Sequence, residues 1–356
     1  MSKFLETYGV AIFTLVLVAI LIAFAGPLGI KIKNATTDKV CQTEQIGNDE
    51  IQNSVNSKEE KGEAFAVYSA DDNSISFYKR ETLPNIGDEF NGKTVTKIYT
   101  DIETTQYKDT NLPEWNSDLT ALCSYYIVDK IKPISTVSFF YGAKEIYNIK
   151  NLDTSNVTDM TAMFRETALT TLDLSSFNTS QVTSMINMFY DCISLTNLDV
   201  NKWNTSQVTD MRGMFGECNS LTTVNLSSFD TKQVTSMLNM FYNCNSLTNL
   251  DLSSFDTSNV ISMYGMFENC SALRNISFGD KFDTSNVTSI GCMFYNCRAL
   301  TNLDISNWNI SQVGYMDRIF IGCSSLQSVN VSKETYDKLI TVSNLGITAD
   351  KFNIVK

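Results

Sequence analysis

The 356-residue chain has no histidine, only four prolines, and 27 basic against 39 acidic residues, which leaves a formal net charge of −12. Each shortage excludes something. Without imidazole there is no Ser-His-Asp or Cys-His nucleophile pair, no imidazole metal ligand and no histidine general base. The acidic balance repels phosphate backbones, and no basic patch with interleaved aromatics occurs, so nucleic-acid binding is set aside. Three of the prolines, Pro84, Pro113 and Pro133, fall between residues 65 and 135, and none follows Pro133. With 43% hydrophobic and 19% charged residues, what remains is the composition of a folding chain.

Residues 7–30 carry no charge, and 10–25 are almost unbroken aliphatic and aromatic sequence. At about 1.5 Å per residue this run is long enough for a hydrocarbon core of about 30 Å. Residues 1–33 are therefore expected to form an amino-terminal transmembrane anchor. A cleaved secretory signal is the alternative, since Ala23-Phe24-Ala25 offers a small-x-small site, although Lys3 is offset by Glu6. A buried core helix would keep a polar stripe that this run lacks. Lys31, Lys33 and Lys39 follow the span and favour a cytoplasmic carboxyl side, so charge alone does not orient it as a surface protein. Cys41 lacks the small-residue box of a lipid-modified cysteine, and Leu83-Pro84-Asn85-Ile86-Gly87 reads as a mid-chain turn.

Residues 34–64 are polar and aromatic-free, too poor in apolar groups to bury a core, and read as a flexible linker. Residues 65–135 then form a small β-rich capping module. It has a hairpin predicted over 65–79 and further strands at 94–99 and 124–128.

From about residue 136 the chain repeats. Phe164, Phe189, Phe215, Phe241, Phe267, Phe294 and Phe320 recur every 25 to 27 residues, with Phe139-Phe140-Tyr141 as a worn unit in front. A period of this length signals a solenoid, whose units bury their apolar faces only against one another. Within a unit, Leu250 and Leu252 alternate with Asp251, which is strand spacing. Val234, Met237, Met240, Phe241 and Cys244 instead follow helical spacing. The expected fold class is thus an α/β solenoid of about seven 26-residue units over residues 136–332, each a short strand plus helical turns, with a carboxyl-terminal cap at 333–356. Because helical turns need more room than strands, the stack is expected to curve with its strands inside.

The L-x-x-L-x-L pattern recurs at Leu195/Leu198/Val200, Leu221/Val224/Leu226, Leu247/Leu250/Leu252 and Leu300/Leu303/Ile305. Together with the Met-Phe-x-x-Cys and Phe-Asp-Thr-Ser-Asn-Val segments, it resembles the BspA-like leucine-rich repeat surface proteins of bacteria. The usual asparagine is replaced by Phe177, Trp203, Phe229, Phe255, Phe282 and Trp308, an expected aromatic stack. The resemblance implies attachment at a bacterial cell surface with the repeats outside, binding of host or microbial surface proteins or glycans, and no catalysis, cofactor or small-molecule substrate.

Cys192, Cys218, Cys244, Cys270, Cys297 and Cys323 occupy one position per unit. Translation-related side chains suit packing better than the crossed geometry of a disulfide or the convergent shell of a metal site. Cys292 is out of phase, and it or Cys41 is the thiol expected to be exposed. A column including Asp153, Asn178, Asn204, Asp230 and Asp256 begins the turn in each unit, and reads as turn-forming Asx. Asp173, Asp199, Asp251 and Asp304, with Asn249 and Asn302, stand at outward strand positions and are the candidate ligand-binding residues. Residues 151–330 hold 16 acidic against 8 basic groups, so basic proteins, cationic peptides or hydroxyl-rich glycans are the expected partners. The alternative is a structural or pilin-like subunit assembled through its amino-terminal apolar segment.

Overall fold

The computed structural model describes residues 61–108, 112–118 and 123–355. The expected membrane span and nearly all of the expected linker lie outside the described residues. Among the described residues no helix is long and apolar enough to cross a membrane.

The first hairpin joins β1 (Glu63–Ser69) and β2 (Ser74–Arg80) in antiparallel register, Ser69 opposite Ser74. Asn73 closes the turn with φ 52°, a left-handed conformation that asparagine tolerates. A minor hairpin follows, β3 (Glu89–Phe90) with β4 (Lys93–Thr94), and then β5 (Lys97–Tyr99), the short α1 (Trp115–Asp118), β6 (Cys123–Ile127) and β7 (Ala143–Tyr147). The main sheet has order β5-β1-β2-β6-β7, and its last two pairings are parallel. That switch to parallel pairing sets the direction of everything after it. Trp115 seals the end, fully buried, with the rings of Phe77, Tyr99 and Phe139 edge-on at 5.2–5.7 Å. One apolar core continues from Ala64 to Phe352, because the amide of Ala168 in the first repeat donates to the carbonyl of Ala143 in β7.

Each repeat is a rung. The strand wall carries β8 (Asn197–Asp199), β9 (Thr223–Asn225), β10 (Asn249–Leu252), β11 (Asn275–Phe278), β12 (Asn302–Ile305) and β13 (Ser328–Val331). They pair in parallel with like positions opposed, Leu198 to Val224, Leu250 to Ile276 and Leu303 to Val329. Leucine side chains point into the core and Asn/Asp side chains outward, as the period of two requires.

The return half of the rung corrects the expected helical turns. In the rung of Phe164, the amides of Met160, Ala162, Phe164 and Glu166 donate to carbonyls of the next rung at 2.8–3.0 Å. The intervening Met163, Arg165 and Thr167 donate three residues back. Ala162 and Glu166 are left-handed, with φ 54° and 60°, and the same two positions recur as Asn187 and Asp191, then Gly213 and Glu217. A helix would direct its amides four residues back and leave none for a neighbour. Alternating turns bury the same i, i+3, i+4, i+7 side chains while freeing every second amide for the next rung. The reason for curvature is corrected with it. The return wall is itself hydrogen-bonded rung to rung like paired strands, so the expected mismatch between strand and helix spacing does not operate.

Phenylalanines fill the interior. Phe140, Phe164, Phe189, Phe215, Phe241, Phe267, Phe294 and Phe320 form an unbroken column of parallel rings, centroids 5.3–6.0 Å apart, which makes Phe140 the front unit. The second aromatic column stacks in pairs, Phe177 on Trp203, Phe229 on Phe255 and Phe282 on Trp308. Each thiol of the cysteine column donates to the carbonyl of the stacked Phe one rung earlier, at 3.0–3.1 Å. The eight described cysteines are free and buried. Cys292, expected as an exposed thiol, is among them, 5% exposed and 3.5 Å from the hydroxyl of Tyr264.

A buried threonine joins successive rungs. Thr154, Thr179, Thr205 and Thr231 are at most 2% exposed. Each hydroxyl donates to the carbonyl of the Asx residue one rung on and accepts that residue's amide, at 2.8–3.0 Å. At the far end Ser332 caps α2 (Lys333–Leu339) by accepting the amide of Thr335. Thr335, also buried, donates back to the carbonyl of Trp308 in the preceding rung. The chain then lays β14 (Phe352–Ile354) parallel on β13.

Two measurements test this packing. Thr205→Val removes both bonds to Asp230 and leaves that residue's part-buried carbonyl and amide without their partner, so urea unfolding should show a loss of about 1 kcal/mol or more. Thr209→Val, at an exposed position, should change stability by less than about 0.5 kcal/mol. For the thiols, burial pushes Cys218, Cys244 and Cys297 well above the ordinary range and Cys323 up to about 12. Iodoacetamide at pH 8 should therefore label Cys218, Cys244, Cys297 and Cys323 only after denaturant is added, and labelling of these thiols in native protein at a rate independent of unfolding would contradict the burial.

Candidate functional site

The predicted ligand-binding residues lie on the strand wall, and all six are exposed. Asp199, Asn249, Asp251, Asn302 and Asp304 sit on strands, while Asp173 belongs to the same column in the preceding rung, which forms no regular strand. Each aspartate also serves its own backbone. Asp173, Asp199, Asp251 and Asp304 accept the amides of Ser175, Asn201, Ser253 and Ser306 through Oδ1 at 2.9–3.1 Å. These Asx turns end the strands, and the second oxygen of Asp304 also accepts Asn330 Nδ2 at 3.4 Å.

Between rungs the wall is laced by uncharged groups. Asn275 Nδ2 donates to Asn249 Oδ1 at 2.8 Å, and Ser328 Oγ to Asn302 Oδ1 at 2.7 Å. Each strand aspartate opposes a neutral residue: Asp199 faces Asn225, Asp251 faces Ser277 and Asp304 faces Asn330. Directly opposed carboxylates would be destabilising, and within each strand pair the aspartate faces a neutral residue, although Asp173 and Asp199 stand on successive rungs. A shallow open depression of about 360 Å³ lies between two rungs, lined by residues including Asn197, Asp199, Thr223 and Asn225. This geometry offers hydrogen-bond donors and acceptors in rows. It encloses nothing that would drive the carboxylates' pKa values apart for acid-base work.

The other expected column is turn-forming throughout. Asp153, Asn178, Asn204, Asp230, Asp256, Asp283 and Asn309 each accept the amide two residues on.

A family described as "Mycoplasma protein of unknown function, DUF285" matches residues 134–247 and again 217–334. Together the two matches span more than half of the chain. The chain belongs to this family. No curated protein matches it. The two overlapping DUF285 matches follow from the stack itself, since one run of rungs resembles the next.

A two-rung unit within the DUF285 stack escaped the 26-residue reading. Asn187 and Asn239 aim Oδ1 at Gly213 and Gly265 of the next rung, where an added Cβ would lie 2.1 and 2.3 Å away. The same rungs alternate in their outward residue after the stacked Phe: Tyr190, Gly216, Tyr242 and Glu268. Comparing alternate repeats would reveal the unit, because MINMFYDC and MLNMFYNC match each other better than either matches MRGMFGEC.

Acid should weaken the stack in a defined window. Hydrogen bonds from Ser175 and Ser253 hold Asp173 and Asp251 below the ordinary carboxylate value of 3.8. For Asp304, burial pushes upward but the bonds from Ser306 and Asn330 prevail and hold it low. Depressed folded-state values mean that the unfolded chain takes up protons first as pH falls. Stability from these groups is complete above the unfolded value and lost as pH drops through the folded values. The urea midpoint should therefore fall between about pH 5 and about pH 3, and Asp251→Asn should show a smaller fall.

Proposed function

We propose that this protein is a bacterial surface adhesion or recognition protein that binds macromolecular ligands through its repeat stack, with an amino-terminal membrane anchor and the repeats outside the cell. The observation that carries this reading is the strand wall. Exposed polar groups, Asp, Asn, Ser and Thr, recur in register from rung to rung around an open depression, a surface suited to an extended partner and unsuited to enclosing a small substrate. The likeness to BspA-like leucine-rich repeat proteins supports the same reading, as do the uncharged run at 7–30 and the polar segment after it. The acidic excess along the repeats favours basic proteins, cationic peptides or hydroxyl-rich glycans. No wall residue is a large anchor, so affinity comes from many modest contacts.

The full-length protein should be screened against immobilised matrix proteins, glycans and bacterial surfaces. For a ligand so found, Asp199→Lys, Asp251→Lys and Asp304→Lys together should weaken binding at least about tenfold, since three exposed charge contacts of about 0.5 kcal/mol each sum to that factor. The fold should survive, because these side chains face solvent. Unchanged binding in the triple variant would place recognition elsewhere. Protease added to intact cells should remove the repeats, and their survival until lysis would refute the topology.

A further inference from the structure

The stack is sealed at its front by Trp115, but at its rear the strand pattern runs on past its cover. β14 repeats the strands before it: Phe352 pairs with Val329, Asn353 with Asn330 and Ile354 with Val331. Since β13 pairs with β12 in the same register, Leu303, Val329 and Phe352 form one inward row, and Ile305, Val331 and Ile354 another. Asn353 extends the outward ladder, its Nδ2 donating to Asn330 Oδ1 at 3.3 Å. Ile305 and Val331 are buried, yet Ile354 in the same row is 48% exposed.

The backbone of β14 is open on the same side. The amide of Val355 donates to the carbonyl of Val331, and alternate residues of a parallel strand direct their backbone groups to opposite neighbours. The amide and carbonyl of Ile354 therefore point to the free edge. The carbonyl of Phe352 points there too, while its amide is spent on Ala349. Open edges are ordinarily blunted by charge or proline. The edge strand of the front sheet, β5, carries the exposed Lys97, but residues 352–355 include neither a charge nor a proline.

Beside this edge Ile340 and Val355 are also exposed, and an open depression of about 300 Å³ is lined by residues including Ile340, Val342, Ile347 and Phe352. A terminal solenoid unit ordinarily turns a polar face outward; this one turns out an apolar face. Charge indicates what can cover it. The chain carries a net −12, yet residues 332–355 hold three lysines against three acids. A second copy can approach this end without the like-charge repulsion that the acidic repeats impose. Protruding isoleucines and a depression on one end also make the patch self-complementary, as a two-fold contact requires.

We propose that the rear end is a self-association surface on which a second copy of this chain docks tail to tail about a two-fold axis. β14 runs antiparallel to β14 of the second copy, and Ile340 and Ile354 of each are covered by the apolar end of the other. Two strand walls in one particle bind a repetitive surface bivalently.

The test uses full-length protein in mild detergent. It should sediment as a dimer at about 100 µM, a concentration that populates even a small interface, and dissociate on dilution. Ile354→Glu and Ile340→Glu should each weaken dimerisation at least about tenfold, with the urea midpoint unchanged because both side chains are exposed. Ile354→Pro removes an amide that faces away from β13, and should weaken the dimer likewise. Asn353→Cys in a Cys41→Ser background should form a covalent dimer on mild oxidation, since a two-fold axis at β14 brings this position close to its own copy. Asp199→Asn, Asp251→Asn and Asp304→Asn together should leave the dimer intact, so failure of this contact and failure of the strand-wall reading are separable. A monomer at every concentration, a dimer indifferent to the Ile354 variants, as assembly through the amino-terminal segment would give, or no cross-link at position 353 would overturn the proposal.

Discussion

Most of the repeat region follows from one requirement: each rung must hydrogen-bond to the next along the return wall at a single pitch, while the strands of the other wall pair as β8 with β9, β10 with β11, and β12 with β13. Strands do this readily. The return segment can do it only by giving up helix, since helical amides are spent within their own segment. Its solution is two left-handed residues per rung, at positions such as Asn187 and Asp191, which turn every second amide outward to the neighbouring rung. The threonine column then closes the remaining gap at the corner. Thr205 both donates to and accepts from Asp230, so the bend between walls is as well paired as the walls themselves.

A fixed pitch also dictates what can fill the inside. Like side chains lie one rung apart, a distance at which parallel rings stack, and the column from Phe140 to Phe320 uses it without interruption. Sulfur fits the same logic. A thiol is small enough to pack and can spend its weak donor on a carbonyl one rung back, so the cysteine column is satisfied without cross-linking. The two ends need other devices. Trp115 and the front sheet cover the first rung, and α2 with β14 covers the last, because a solenoid end would otherwise expose its apolar interior.

On the outside the pitch works against repetition. Carboxylates directly opposed on successive strands would repel, and the ring of Tyr190 lies where a side chain at Gly216 would begin. The surface therefore alternates where the core does not. Asp199, Asp251 and Asp304 face neutral partners; Asn187 fits against Gly213, and Tyr190 against Gly216. The chemistry available to a partner is consequently organised by pairs of rungs, as are the strand pairings and the second aromatic column, while the stacked Phe and the return wall run unbroken.

The sequence by itself determined the repeat and its length, the leucine positions of the strands, the first hairpin, the turn-forming Asx column and the burial of the cysteine column, because each of these depends on local spacing and residue type. The outward placement of the six candidate wall residues was legible for the same reason. It misled over the return segment: Val234, Met237, Met240, Phe241 and Cys244 bury one face whether the backbone is helical or turned, and side-chain periodicity cannot tell which way an amide points. Only the tertiary structure decided that, together with the threonine clasps, the burial of Cys292 beside Tyr264, and the fit of the Tyr190 ring over Gly216. Those features exist between rungs, among residues some 25 positions apart, and come into being only when the stack sets one rung against the next.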